Sequence, residues 1–284
     1  THLAHVAMSR WFSRYRGRAL AVANLGYSLG ESFLPMFFVG FLVWLPWRSV
    51  WLFSAIFPII VAVAIYFTLK DERSPKSFKE DKVSFGIGGR HWSRSQVLKS
   101  SIFWFAFPGL LGLPAFGTVL FFQQVNYALL KGWDHLSMVK AYPLFTIMAV
   151  GVSFLSGSLI DRYGATKLIG LYQIPAVFGF YMFSICETIM GFSVGLILFA
   201  VTAGSNNIIP NAFWAECFGT SHLGRIKSLA AGIMVIGSAL GPLISGVLID
   251  VGFNLNSQYI LFATYFILSS ALLFTCTQKI LVNN

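Results

Sequence analysis

The chain has 284 residues, of which 56% are hydrophobic, 17% aromatic and only 11% charged, with a mean hydropathy of +0.73. That balance excludes an ordinary soluble domain and makes a lipid bilayer the solvent. The net charge of +10 would suit a nucleic-acid binder, but the basic residues cluster at the ends of long apolar runs, which argues against that class.

A hydrocarbon core about 30 Å thick needs about 20 apolar residues at ~1.5 Å each. Eight runs of that order occur, at about residues 19–45, 50–69, 102–128, 141–160, 168–186, 189–214, 229–249 and 259–277. The predicted fold is therefore all-α, a polytopic helical bundle with eight transmembrane helices. Pro35, Pro58, Pro108, Pro114, Pro175, Pro210 and Pro242 lie inside the runs. Membrane helices tolerate proline, so these are expected to mark kinks rather than ends.

With alternate loops assigned to the two sides, only Arg48, Lys131 and Lys140 fall on one side, and the other 17 of the 20 lysines and arginines fall on the opposite side. That bias places both ends of the chain in the cytoplasm and makes anionic headgroups the natural partner of the basic residues.

The first run follows a basic cluster, Arg10, Arg14, Arg16 and Arg18, and carries Asn24, Gly26, Gly30 and Glu31. Glu31 is the one carboxylate well inside a run, about 20 Å beyond Arg18. A charge there costs about 2.5 kcal/mol or more unless it faces water, pairs or stays protonated. Proton coupling or cation recognition is its functional reading, and helix packing the alternative.

After the second run comes the one long polar stretch, rich in Lys, Ser and Gly. It is predicted to be a cytoplasmic linker, residues 71–98, between an N-terminal unit, residues 1–70, and a C-terminal unit, residues 99–284. Its last part, "HWSRSQVLKSSIFW", suits a short helix along the headgroups. The third run brings Gln123, Gln124, Asn126 and Tyr127 towards its outer end, and the sixth carries Asn206, Asn207 and Asn211 around Pro210. These amides are candidate substrate contacts, although amides at kinks also satisfy freed backbone groups.

Shifting the chain by 211 residues aligns Arg14 with Arg225, Arg16 with Lys227, Gly26 with Gly237 and Gly30 with Gly241. Each copy feeds basic residues into a helix with a Gly-x-x-x-Gly face, which permits close helix packing. The first run then matches the seventh, so the repeat unit is six helices. On that count the C-terminal unit is complete, and the N-terminal one is expected to be truncated by four helices.

"GSLIDRYGATK", residues 157–167, resembles the loop signature Gly-x-Leu-x-Asp-Arg-x-Gly-x-x-Lys/Arg of the major facilitator superfamily through Gly157, Leu159, Asp161, Arg162, Gly164 and Lys167. "RWFSRYRGRALAVANLGYSLG" and "ECFGTSHLGRIKSLAAGIMVIGSALGP" are similar to regions of its monocarboxylate-porter-like, bacterial-type members. The resemblance implies helices five to twelve of a twelve-helix carrier in a plasma (bacterial inner) membrane. It also implies a substrate site between two bundles, reached by alternating access. Asp161 is expected to bond the start of the first run, residues 17–20, and latch the bundles on the cytoplasmic side. Arg162 is expected to pair with Glu216, with Arg14 and Arg16 nearby.

The function expected is secondary transport of a small molecule, with proton coupling through Glu31. The rival reading is a non-transporting membrane receptor or scaffold of the same fold. Enzymatic function is not expected, because His2, His5, His91, His135 and His222 sit at run edges or in loops. Cys186, Cys217 and Cys276 have no paired spacing, so neither a metal nor a cofactor is expected, and no oligomer is required. Runs 141–160 and 229–249 lack the embedded basic residues that monocarboxylate porters use, which counts against an organic anion as substrate.

Overall fold

The computed structural model describes residues 26, 29–30, 33–68, 86–219 and 221–282. It divides into two units, Thr1–Asp81 and Lys82–Asn284.

In the first unit, α1 (Phe33–Leu42) turns through Pro46 into α2 (Trp47–Thr68). Phe38 packs edge-on against Trp51 at 6.2 Å and joins the two helices. Trp44, Trp47 and Trp51 are exposed around this turn, and the Arg48 guanidinium lies 4.6 Å over the Trp47 ring. Amphipathic rings beside a cation are what a membrane–water boundary favours.

The second unit opens with a short 3-10 turn, Ile87–Gly89, and α3 (Arg94–Lys99). Then come α4 (Ser101–Phe122), α5 (Gln124–Lys131), α6 (His135–Val139), α7 (Tyr142–Tyr163), α8 (Ala165–Leu168) and α9 (Ile174–Ile185). The chain finishes with α10 (Ile189–Asn206), α11 (Ile209–Phe218), α12 (Leu223–Asp250) and α13 (Leu255–Val282). In the bundle α4 packs on α12 and α13, α10 packs on α7 and α9, and α9 also packs on α13.

Among the described residues six helices are long and apolar enough to cross a membrane, rather than the eight expected: Trp47–Phe67, Ser101–Phe122, His135–Tyr163, Ile189–Phe218, Leu223–Asp250 and Leu255–Gln278. Two further apolar helices, Phe33–Leu42 and Ile174–Ile185, are shorter. The first of these lies in a run that is described only in part.

The run 168–186 is interrupted by a turn at residues 169–173, before Pro175 in the first turn of α9. Pro210 likewise starts α11 after a break at Asn207 and Ile208. Pro175 and Pro210 therefore mark helix starts, where a missing N–H costs nothing, and not internal kinks. Pro58, Pro108, Pro114 and Pro242 do sit inside helices.

Helices in lipid gain little from the hydrophobic effect between themselves, so contact must come from close packing and interhelical hydrogen bonds. At Gly241 a Cβ would collide with the backbone of Ala115, and at Gly237 it would stand 3.0 Å from the Leu111 carbonyl. The α12 glycines are what let its backbone rest on α4. Gly204 does the same for α10 on α7, with its absent side chain facing Ala149, and the Ser153 hydroxyl bonds the Gly204 carbonyl at 2.9 Å. The run that carries Gly26 and Gly30 is described only in part, and among the described residues a Cβ on Gly26 meets nothing within 4 Å, and one on Gly30 meets Leu34, at 3.6 Å.

The break at residues 169–173 is held by a buried polar junction. The Gln173 amide donates to the Gly109 carbonyl at 2.5 Å and accepts from the Ser269 hydroxyl at 2.6 Å, which ties α9 to both α4 and α13.

Gly241→Leu should force α12 off α4 and cost about 1–3 kcal/mol. Gly232→Ala, where a Cβ meets nothing within 4 Å among the described residues, should be neutral or stabilising. Thermal exposure of the buried thiols Cys186, Cys217 and Cys276 to a fluorogenic maleimide reads both, with a midpoint drop of at least about 3 °C expected for Gly241→Leu only.

Candidate functional site

Two features are built from the predicted residues: a clamped loop and two groups of amides at different depths.

The loop begins where α7 ends. The Gly164 N–H donates to the Ile160 carbonyl at 2.8 Å, and φ 81° at Gly164 swings the chain into α8. A left-handed φ is open to glycine at no cost, which explains Gly164 in the signature. Asp161, Arg162 and Lys167 are exposed, and the Arg162 guanidinium lies 5.3 Å from the Tyr163 ring. A Cβ on Gly157 would meet nothing within 4 Å among the described residues.

The expected Arg162–Glu216 pair is not formed. The Glu216 carboxylate instead accepts from the backbone N–H of Ala165 at 2.8 Å and of Thr166 at 2.9 Å. The first amides of a helix have no intrahelical partner and carry its positive dipole end, so they compete well for a nearby carboxylate. The contact expected of Asp161 is a different one, with residues 17–20, which lie outside the described residues. From the far side, the Thr277 hydroxyl donates to the Thr166 carbonyl at 2.9 Å.

The C-terminal end of α11, which carries Glu216, also receives the segment before α3. The Trp92 N–H donates to the Phe218 carbonyl at 3.1 Å, and the two rings meet edge-on at 5.4 Å. The indole N–H bonds the Ile87 carbonyl at 3.2 Å, and Arg90 lies 4.4 Å over the indole ring. Ser93 and Gln96 form a reciprocal capping box that starts α3, which buries Val97 in the core. One short helix end therefore holds both α8 and the segment before α3.

The outer amides lie where α4 passes into α5. The Asn126 amide donates to Gln123 Oε1 at 2.7 Å, and the Tyr142 hydroxyl donates to Gln124 Oε1 at 2.6 Å. Tyr127 is separate from this group. Its ring is fully buried, its hydroxyl donates to the Phe183 carbonyl at 2.6 Å, and Trp133 and Tyr259 pack against it.

The inner amides follow the α10–α11 break. Asn207 and Asn211 are exposed, and the Asn211 amide donates to the Asn207 carbonyl at 2.9 Å, the backbone-satisfying role that amides at a break can play. Asn206 is half-buried.

The two groups do not meet. Gln124 bonds Tyr142 at the N-terminal start of α7, whereas Ser205, beside Asn206, bonds Ser156 of the same helix at 3.2 Å. Tyr142 and Ser156 are about four turns apart, or ~21 Å along the axis. Asn24, Glu31, Arg14 and Arg16, and the stretch 17–20 expected to meet Asp161, lie outside the described residues.

Sequence reasoning missed Tyr142, whose hydroxyl orients Gln124. Its signal was a Tyr-Pro pair opening an apolar run, which reads as a helix start alone. Among the described residues no group of three or more His, Cys, Asp or Glu could hold a metal ion.

Comparison with known proteins adds two findings. The sequence profile of the Major Facilitator Superfamily matches residues 1–242. The agnestins efflux protein AgnL12 of Paecilomyces divaricatus is 31% identical over 141 residues, covering 49% of this chain and 31% of that protein. The match thus spans less than a third of that relative's length.

Glu216→Ala should remove the cap of α8 at a cost of about 0.5–2 kcal/mol. Hydrogen exchange followed by mass spectrometry should show faster exchange at Ala165 and Thr166. Arg162→Gln should leave both amides as protected as before.

Proposed function

The chain belongs to the major facilitator superfamily, and from that premise we propose that it works as a secondary carrier, passing a small solute across a membrane by alternating access. It is an integral membrane protein, with six long apolar helices among its described residues. The observation that carries the carrier reading is the family match over residues 1–242. The loop 157–167 supports it, since its exposed charges surround a turn clamped on both sides.

Amides at two depths along α7 fit a solute that is passed between stations rather than bound at one place. Export is the direction favoured by the name of the similar efflux protein. The charge bias assigns the 157–167 loop and both chain ends to the cytoplasm, and a plasma membrane is the expected location. A carrier rather than an enzyme is the reading throughout.

Within this proposal Asp161 is the gating carboxylate. Glu216 already occupies the amides that start α8, so Asp161, exposed on the last turn of α7, is free to bind a different partner in one conformation. Asp161→Asn in the full-length protein should lower solute flux by at least about tenfold, the scale of a lost charge-assisted contact. Uptake unchanged within about twofold removes the gating role.

Glu31 is the proposed coupling group, since a lone carboxylate at that depth is stable when protonated. Glu31→Gln should abolish accumulation driven by a pH gradient in proteoliposomes while leaving solute exchange intact. Accumulation that survives the substitution rules out coupling through this residue.

A further inference from the structure

Building on the carrier reading, we propose that the outer amides form a hydrogen-bond-donating subsite for a neutral aromatic solute bearing a carbonyl oxygen, with Tyr142 as the positioning residue. The argument turns on which end of each amide is already occupied. The contact between Tyr142 and Gln124 is 2.6 Å, inside the range of O–H···O bonds and short for N–H···O, so the phenol meets the amide oxygen. Gln123 has its oxygen occupied in the same way by the Asn126 amide at 2.7 Å. Both glutamines therefore keep their NH2 groups, which have no other hydrogen bond among the described residues. The acceptor left over is Oδ1 of Asn126, on an exposed residue.

A second donor lies close by. The Tyr259 ring is fully buried against Tyr127, three residues along α5 from Gln124, and its hydroxyl has no hydrogen-bond partner among the described residues. A buried hydroxyl without a partner is costly, and a ligand oxygen would relieve that cost. The Gln124 amide of α5 thus stands beside the phenol that α7 contributes, with the α13 hydroxyl behind Tyr127.

The neighbouring cation is engaged elsewhere, which decides between a neutral and a charged ligand. Lys131 has a side chain only 3% exposed and turns to Glu187 at 3.5 Å and to the Ser184 carbonyl at 3.4 Å. A carboxylate brought to Gln124 would not have Lys131 as its countercharge, whereas a ketone or ester oxygen needs only the N–H and O–H donors. The walls are aromatic: the Phe121 ring packs edge-on against Tyr142 at 5.5 Å and against Phe145 at 5.8 Å. Such rings favour a flat apolar body behind the carbonyl.

Photolabelling of the full chain in nanodiscs with benzophenone, itself a neutral aromatic ketone, tests this. Adducts mapped by mass spectrometry should concentrate at Phe121, Tyr142 and the turns around them. Acetophenone should displace the label at least about fivefold better than benzylammonium or benzoate. Gln124→Leu should abolish the local adducts, and Tyr142→Phe, which frees Gln124 to present its oxygen, should erase the preference for acetophenone over benzylammonium. Retained thermal exposure of the buried thiols confirms that each variant is folded, and if Tyr142→Phe does not fold, the Gln124→Leu result decides.

Adducts spread over lipid-facing residues and insensitive to Gln124→Leu overturn the subsite. Equal displacement by benzylammonium overturns its polarity, and stronger displacement by benzoate overturns its neutrality. Solute counterflow in proteoliposomes keeps the two readings apart. Local, Gln124-dependent labelling without counterflow defeats the carrier alone, and counterflow indifferent to Gln124→Leu defeats the subsite alone.

Discussion

Inside a bilayer a peptide group has no water to turn to, and every helix that bends, breaks or ends there must hand its orphaned backbone groups to another part of the protein. The arrangement of the Lys82–Asn284 unit follows from how it meets that demand. Where α9 is cut short, the buried Gln173 amide bonds the Gly109 carbonyl and Ser269 completes its own bonding. Where α8 begins, the Glu216 carboxylate accepts two amides. Where α10 gives way to α11, Asn211 returns a hydrogen bond to Asn207. Between these points the helices lie close because Gly204, Gly237 and Gly241 have no side chains to hold their neighbours away.

This division of labour bears on motion. A glycine contact depends on shape and is either made or lost, whereas a capped helix end can exchange one partner for another at similar energy. The places where side chains substitute for the backbone are therefore the natural points of conformational change. The α11 end combines two of them, since Glu216 holds α8 on one side and Phe218 receives Trp92 on the other. A shift of that end would move the signature loop and the linker segment together.

Much of this was legible in the sequence. Run length and composition gave the membrane and the helical class, and the Gly237 and Gly241 spacing gave a close-packed face, because both depend on local pattern alone. Gly164 and the loop around it were readable from the charged signature. The proline breaks were not, since proline has the same spelling inside a helix as at its start, and the difference at Pro175 lies in Gln173, whose partners are on α4 and α13. The part Glu216 plays at the α8 amides was hidden for the same reason, since only the path of α11 brings it there. Tyr127 stood in the right stretch for a solute contact, but helical rotation turns it into the packed interior while Gln124 meets Tyr142.

The separation of the amides along α7 also constrains how a solute could be handled. A single deep site made of all six amides would bind tightly, and a carrier gains nothing from a station its cargo cannot leave. On the proposed carrier reading, two stations ~21 Å apart avoid that trap, because each offers only a few hydrogen bonds net of those lost to water. The inner amides lie beside a helix break that already engages Asn211, so what they offer a solute changes if the break rearranges. The outer amides are fixed by Tyr142 and Asn126 and keep one polarity. An orientation set by a phenol from a different helix lasts only while α5 and α7 stay in register. A slide of one helix along the other by two residues, about 3 Å, would lengthen that 2.6 Å bond to about 4 Å, beyond hydrogen-bonding range, and release Gln124 to turn over.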